Sequence, residues 1–159
     1  MEIRRFEPGE EGEVSALVCR NFFEVNSRDY PLSEMQALAK VYNADKICAI
    51  ASYAHMYTVH DGKTIVGTGS ISSLWGSMTE SILLTIFVLP EYHGQGIGRK
   101  IIETLEADDL FLRADRVEIP ASITASGFYG KMGYSYKDGI KVLDNEGLYR
   151  MEKFRPHQK

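Results

Sequence analysis

The sequence predicts a single α/β domain in which a mixed sheet carries helices on both faces. Three observations support this prediction. Apolar residues recur at helical spacing over Glu10–Asn26. A long run over Glu80–Pro90 is dense in isoleucine, leucine and valine, as is typical of a central strand covered on both faces. The predicted elements follow the order β-α-α-β-β-β-α-β-α-β-β, which indicates one sheet packed between helices.

The chain begins with a strand and helices. The first strand is predicted over Glu2–Phe6, and the first helix is predicted over Glu10–Asn26. Pro31 separates this helix from the next, because the residue before a proline avoids the helical region. A second helix is expected over Glu34–Asn43, and Asp45–Ala54 is expected to continue as another turn or two.

The middle of the chain changes to β-forming residues. Residues 55–72 contain two such runs separated by Asp61-Gly62, which is a strong signal for a hairpin. A loop around Trp75 leads into the apolar strand of Glu80–Pro90. The next helix is expected to extend to about Arg113.

The C-terminal part is predicted to alternate between strands and a short helix. Arg116–Ser122 is expected to be a strand, and the helix after it stops at Gly133, since glycine is favoured just past a helix end. Two last strands are expected over residues 136–142 and 147–154. We expect one domain over residues 1–155 and a disordered tail over residues 156–159.

Composition and charge argue against several classes of protein. Eighteen basic and 22 acidic residues give a formal charge of −4, so nothing general favours binding to nucleic acid or to a membrane. No apolar run approaches the roughly 18 residues of a membrane span, and no signal-peptide pattern is seen, so a cytoplasmic protein is expected. Cys19 and Cys48 are interpreted as small buried apolar residues. No metal is expected, because no ligand spacing typical of a metal site occurs.

Three glycines, Gly94, Gly96 and Gly98, stand at alternate positions between the apolar strand and the next helix. Glycine costs conformational entropy on folding, so a cluster needs a reason. The free N–H groups at a helix N-terminus bind anions, and Arg99 and Lys100 add positive charge. We interpret the loop as a phosphate site, with a plain connecting turn as the alternative. The Walker and dinucleotide spacings do not fit, yet a nucleotide is kept as a rival ligand.

Two segments resemble motifs of the GNAT superfamily of N-acetyltransferases. FVLPEYHGQGIGRKII, residues 87–102, resembles its acyl-CoA motif, Arg/Gln-x-x-Gly-x-Gly/Ala. His93 takes the first position, and Gly96 and Gly98 take the two small ones. ASGFYGKMGY, residues 125–134, resembles the motif A-x-x-F-Y-x-x-x-G-F/Y. The resemblance implies the GNAT fold, a mostly antiparallel twisted sheet of six to seven strands with helices on both faces.

The resemblance implies that acetyl-CoA is the co-substrate. Ile86, Phe87 and Val88 would pair with the pantetheine amides as an added strand does. Ser122 stands where the family often has an asparagine in contact with the pantetheine arm. The diphosphate would lie on the loop and first turn of the next helix, and the residues implied there are His93, Gly94, Gln95, Gly96, Ile97, Gly98, Arg99 and Lys100.

The resemblance also implies acetyl transfer to a primary amine by direct attack on the thioester in a ternary complex. Tyr129 is implied in cofactor binding and as the general acid that points at the sulfur, with a packed aromatic as the alternative. Glu80 and Glu118 lie on neighbouring strands and are candidate bases, with a solvated surface position as the alternative for each. The rival function is a non-catalytic acyl-CoA binding or sensing module.

The acceptor is expected to be a small-molecule amine or a protein amine. Its pocket is expected to be built by the N-terminal helices, the loop around Trp75 and the last two strands. The exposed last strands allow pairing between two chains, which makes a homodimer one expectation. Candidates for contact with a cationic amine are Glu24, Asp29, Tyr30, Tyr53 and Trp75.

Overall fold

A computed structural model describes residues 1–155. The strands are β1 Glu2–Arg5, β2 His55–Asp61, β3 Thr64–Ser73, β4 Glu80–Val88, β5 Arg116–Ala121, β6 Ser135–Tyr136 and β7 Tyr149–Phe154. The helices are α1 Glu11–Glu24, α2 Leu32–Val41, α3 Ala44–Tyr53, α4 Ile97–Glu106, α5 Asp109–Leu112 and α6 Ser126–Lys131. The tail expected over residues 156–159 lies outside the described residues. None of these helices combines the length and the apolar character needed to cross a bilayer.

The strands of the described chain form one sheet in the order β1-β2-β3-β4-β5-β7-β6. Neighbouring strands are antiparallel except for β4 and β5, which are parallel. A parallel pair needs a crossover connection, and α4 and α5 supply it. The predicted mixed and mostly antiparallel sheet with helices on its faces is therefore confirmed.

Helices α1 and α4 cover opposite faces of the sheet. Phe22 of α1 packs edge-on against Phe87 of β4, with 5.6 Å between the ring centroids. The adjacent residue Ile86 lies beside Gly69 of β3, where Ile101 of α4 packs so closely that a Cβ on the glycine would overlap it. Adjacent strand residues point to opposite faces, so the two helices lie on opposite sides.

The parallel strands β4 and β5 are paired at one end only. Glu80–Ile82 pairs with Arg116–Glu118, and beyond these residues the two strands diverge. The register of β4 against β3 then shifts at a bulge, where Thr85 has a φ of 54°. Positive φ is uncommon outside glycine, and a bulge bends its strand. The bend opens a gap between β4 and β5.

Two helix predictions differ from the structure. The helix expected to reach Arg113 ends at Glu106, because the carboxylate of Asp108 caps a separate helix by accepting from the Leu110 N–H at 2.9 Å. The segment expected to form a turn or two is the ten-residue helix α3. Asn43 begins it by accepting from the Lys46 N–H at 3.0 Å.

The two last strands are shorter than predicted. The strand expected over residues 136–142 stops at Tyr136, because Asp138 and Gly139 adopt φ values of 55° and 71°. The final strand begins at Tyr149 rather than at Gly147. Residues 143–148, which we call the strap, join the two strands outside the regular sheet.

Candidate active site

A cavity of about 1180 Å³ passes through the gap between β4 and β5. On the α4 face its walls are the loop before α4 and two aromatic residues of α6, Phe128 and Tyr129. On the other face its walls are α1, α2 and the strap. Small-molecule sites usually measure about 300–1,000 Å³. The cavity is therefore large enough for a cofactor and a second molecule.

Six successive N–H groups at the start of α4, those of residues 94–99, have no acceptor within residues 1–155. The N–H groups on either side, of His93 and Lys100, each donate to a backbone carbonyl at 3.1 Å. Gly94 and Gly96 have φ values of 76° and 81°, which other residues rarely adopt. Successive N–H groups in such a conformation form a concave site for an anion, which we call the nest.

The third glycine of the motif is explained by helix packing. Gly98 lies in the first turn of α4, and a Cβ there would be 3.2 Å from the ring of Phe128. It therefore permits α4 and α6 to pack closely. Arg99 lines the cavity, whereas the Nζ of Lys100 donates to the Met1 carbonyl at 3.1 Å. The side chain of Gln95 donates to the Glu91 carbonyl at 3.3 Å, outside the cavity lining.

The end of β4 turns backbone groups of Ile86 and Val88 toward the gap. The Leu89 N–H donates to a β3 carbonyl at 2.8 Å, and alternate residues of a strand point opposite ways. The Val88 carbonyl accepts from Nδ2 of Asn21 at 3.0 Å and from Nε2 of His93 at 2.8 Å. Both of its lone pairs are used, while the Val88 N–H has no partner among the described residues.

Tyr129 lines the cavity from α6, and only 6% of the residue is exposed. Burial raises the pKa of its phenol above the ordinary value of 10.0. The raised pKa keeps the hydroxyl protonated at neutral pH. It has no hydrogen-bond partner in the part of the chain that the structure describes, so it is open to a ligand. Ser122 also lines the cavity, but its Oγ accepts from the Ala125 N–H at 3.1 Å and stabilises the turn into α6.

The carboxylates expected as bases, Glu80 and Glu118, lie outside the cavity lining. Arg116 binds them at 3.0 and 2.7 Å and also binds Glu152 at 2.7 Å. Burial raises the pKa of Glu118, but the hydrogen bond from Arg116 and the charges of Lys137 and Arg116 outweigh it, so the pKa lies below the ordinary 4.5. The structure thus places both carboxylates in an ion-pair cluster within the sheet.

The residues expected to contact a cationic amine are dispersed. Tyr30 lines the cavity, and its hydroxyl donates to the Gly147 carbonyl at 2.5 Å and accepts from the Ile123 N–H at 2.9 Å. Trp75 is 96% exposed and lies outside the lining, so its loop does not build the pocket. Three further candidates are also outside the lining: Glu24, Asp29 and Tyr53.

Several cavity residues were missed by the sequence analysis. Asn21 is buried and interrupts the apolar stripe of α1, and this interruption is a signal that could have identified it. Glu34 and Glu146 line the cavity from α2 and from the strap. Neither stands in a local pattern that marks a site.

Sequence comparison decides the family. Residues 52–136, a little over half of the chain, match the family model of the acetyltransferase (GNAT) domain. The chain belongs to the GNAT acetyltransferase family. The matched region runs from α3 to β6 and so includes the nest, the gap in the sheet and α6 of this GNAT domain. Comparison with curated proteins finds no match.

Solved structures share the whole GNAT fold of this chain. A GCN5-related N-acetyltransferase from Rhodopseudomonas palustris has a TM-score of 0.78 at 22% identity, over 97% of this chain and 95% of the other. PaiA N-acetyltransferase from Thermoplasma acidophilum, in complex with coenzyme A, also has 0.78, at 17% identity over 97% and 98%. An aminoglycoside 6'-N-acetyltransferase complexed with coenzyme A has 0.74 at 16% identity, over 100% of both chains. Because these sequence identities are low, the similarity shows a shared fold and nothing beyond it.

Proposed function

We propose that this GNAT protein is an acetyl-CoA-dependent N-acetyltransferase, in which a primary amine attacks the thioester directly while both substrates are bound. The observation that carries the proposal is the row of six unpaired N–H groups at α4, beside a gap into which the Tyr129 hydroxyl is free to donate. The family match supports acetyl transfer. The coenzyme A complexes of two structural neighbours support the choice of acyl donor.

The nest suits the diphosphate of acetyl-CoA. Its N–H groups, of residues 94–99, point at no protein acceptor, and no side chain crowds Gly94 or Gly96. Arg99 adds a full positive charge. The Val88 N–H is open to a pantetheine carbonyl, but the Val88 carbonyl is already occupied. A pantetheine N–H therefore has to donate elsewhere on β4, where the backbone of Ile86 faces the gap.

The reaction needs one bond formed, one broken and one proton returned. The ammonium form of the amine first loses one proton to water. The neutral nitrogen then forms a bond to the acetyl carbon, and the bond between that carbon and the sulfur breaks. Tyr129 donates its proton to the departing sulfur, because its raised pKa keeps the phenol protonated at neutral pH. The proton lost by the nitrogen then restores the phenol. A second backbone N–H at the gap, such as that of Ile86, is suited to hold the oxyanion.

Two measurements test this function. Competition calorimetry with coenzyme A, ATP and NAD is expected to show binding of coenzyme A and no displacement by the other two. Acetyl-CoA incubated with a panel of primary amines is expected to release free thiol. Preference for ATP or NAD would contradict the proposal at its first stage.

A non-catalytic acyl-CoA binding module is the second candidate. It is favoured by one observation, that the ion-pair cluster keeps Glu80 and Glu118 outside the cavity. Tight binding of acetyl-CoA with no thiol release on any amine would support this module and overturn the enzymatic function.

A further inference from the structure

The half of the cavity on the α1 and α2 face is lined by apolar side chains that remain exposed. We call it the α2 chamber. Leu38, Val41 and Leu143 are 37%, 52% and 39% exposed and all line the cavity. The chamber residues used below are Phe22, Leu38, Val41, Tyr42 and Leu143.

Exposed apolar groups that converge on a concave surface mark a binding site, because each would gain free energy by leaving water. Phe22 and Tyr42 add an edge-to-face aromatic pair to the chamber wall, with 5.5 Å between the ring centroids. Such a wall selects a ligand with an apolar surface of its own.

The charges of the chamber are acidic. Glu34 and Glu146 line it, and neither carboxylate has an ion-pair partner within residues 1–155. Asp144 is occupied, since it binds Arg150 at 2.8 Å and accepts from two N–H groups of the strap. Burial and nearby negative charge, including that of Glu146, raise the pKa of the Tyr42 phenol. In the part of the chain that is described, the cavity-lining Lys and Arg side chains are limited to Arg99, on the α4 face.

The strap links Glu146, through the next residue, to the cofactor side of the cavity. Its neighbour Gly147 is bound to the Tyr30 hydroxyl, which is also bound to the N–H of Ile123. Ile123 directly follows Ser122, a cavity residue of the cofactor side. The neighbour of Glu146 is thus bonded to the cofactor side of the cavity, so a cation held by Glu146 is near the proposed reaction site.

We propose that the acceptor is a monoamine with an apolar body, an arylalkylamine or alkylamine, whose body packs against α2 and whose ammonium group is attracted by Glu146. The inference rests on the proposed N-acetyltransferase function. A polyamine or an aminosugar needs acidic and polar partners along its whole length, and the wall of Leu38, Val41 and Leu143 offers none. A long acyl chain would also suit the wall but would leave the two carboxylates without a role.

The test compares amines that differ in their body. With acetyl-CoA, 2-phenylethylamine is expected to have a kcat/KM at least tenfold above those of ethanolamine and spermidine, measured by thiol release. Calorimetry with coenzyme A present is expected to show binding of 2-phenylethylamine and none of ethanolamine at the same concentration.

Two variants with matched controls localise the effect. Glu146→Gln is expected to raise the KM for 2-phenylethylamine about five- to tenfold while the KM for acetyl-CoA stays unchanged. Val41→Ser is expected to reduce the preference for 2-phenylethylamine over ethanolamine at least threefold. The controls Glu103→Gln and Val142→Ser change exposed residues outside the cavity lining and are expected to leave both quantities unchanged.

The outcomes separate the inference from the function beneath it. Equal or better turnover of ethanolamine or spermidine overturns the inference and leaves the N-acetyltransferase function standing. A gain from hexanoyl-CoA over acetyl-CoA, with no gain from the phenyl group, assigns the chamber to the acyl chain and also overturns it. Calorimetric binding of 2-phenylethylamine without thiol release supports the chamber but contradicts the enzymatic function.

Discussion

His93 stands where the GNAT motif usually has arginine or glutamine, and the structure gives it a specific contact. Its Nε2 lies 2.8 Å from the Val88 carbonyl, so that nitrogen carries the proton. Asn21 of α1 donates to the same carbonyl. Two side chains distant in sequence thus fix the last peptide group of β4, at the point where the cofactor arm is proposed to bind.

Tyr129→Phe removes the hydroxyl and keeps the ring. We expect kcat to fall by about 10- to 100-fold, because the departing sulfur loses its proton donor. The dissociation constant of acetyl-CoA, measured by calorimetry, is expected to change less than twofold. Unchanged turnover would remove the phenol from the mechanism, and a large loss of affinity would make Tyr129 a binding residue instead.

The nest is a property of an element rather than of any side chain. Its six N–H groups are aligned by the left-handed φ of Gly94 and Gly96 and by the start of α4. The side chains of Gln95 and Lys100, which the motif made candidates for binding, instead contact backbone carbonyls. Most of the contacts to the proposed diphosphate would therefore come from the backbone.

Gly96→Ala tests whether the backbone conformation of the nest is needed for binding. An alanine at a φ of 81° costs about 1 kcal/mol or shifts the peptide groups out of line. We expect the dissociation constant of coenzyme A to rise at least tenfold by calorimetry. Gly62→Ala is the control, because Gly62 has a φ of 61° in the hairpin turn, far from the nest in sequence and outside the cavity lining. An equal effect of both substitutions on binding would contradict a specific role for the nest.

Local patterns predicted the elements but not their breaks. The apolar spacing of Ile101, Ile102, Leu105 and Leu110 is the same whether one helix continues or two helices meet. The break depends on Asp108, whose carboxylate also binds residues of β2 far away in sequence. By contrast, the nest lies in one contiguous segment, so its position could be predicted from the sequence. The α2 chamber is assembled from α1, α2 and the strap, which only the folded topology brings together.

At the scale of the whole molecule, Asp108 ties the α4–α5 connection to β2. Its side chain is almost fully buried, and it accepts from the Tyr57 hydroxyl at 2.6 Å and from Nδ1 of His55 at 2.9 Å. Burial raises the pKa of Asp108, but hydrogen bonds from Tyr57, the Leu110 N–H and His55 outweigh it, so the pKa lies below the ordinary 3.8. Burial and the same hydrogen bond to Asp108 raise the pKa of Tyr57 to about 12.

Asp108→Asn is expected to lower the free energy of unfolding by about 2 kcal/mol at pH 7. A carboxylate with a lowered pKa stabilises the fold fully above its unfolded value, and this stabilisation is lost as the pH falls through the folded value. The difference between wild type and variant should therefore stay constant above pH 3.8 and shrink below it. Urea denaturation across that range measures it, with the exposed neighbour in Asp109→Asn as the control. A difference that persists at lower pH would contradict the role of the charge.

The short pairing between β4 and β5 has a mechanical consequence. Strands β1 to β4 and strands β5 to β7 form two parts of the sheet. They are joined only where Glu80–Ile82 pairs with Arg116–Glu118 in the described chain. Arg116 reinforces this junction because it binds Glu80 of β4 as well as Glu118 of β5 and Glu152 of β7. The width of the gap, and with it the room for the proposed cofactor and acceptor, therefore depends on a pairing and an ion-pair cluster that lie outside the cavity lining.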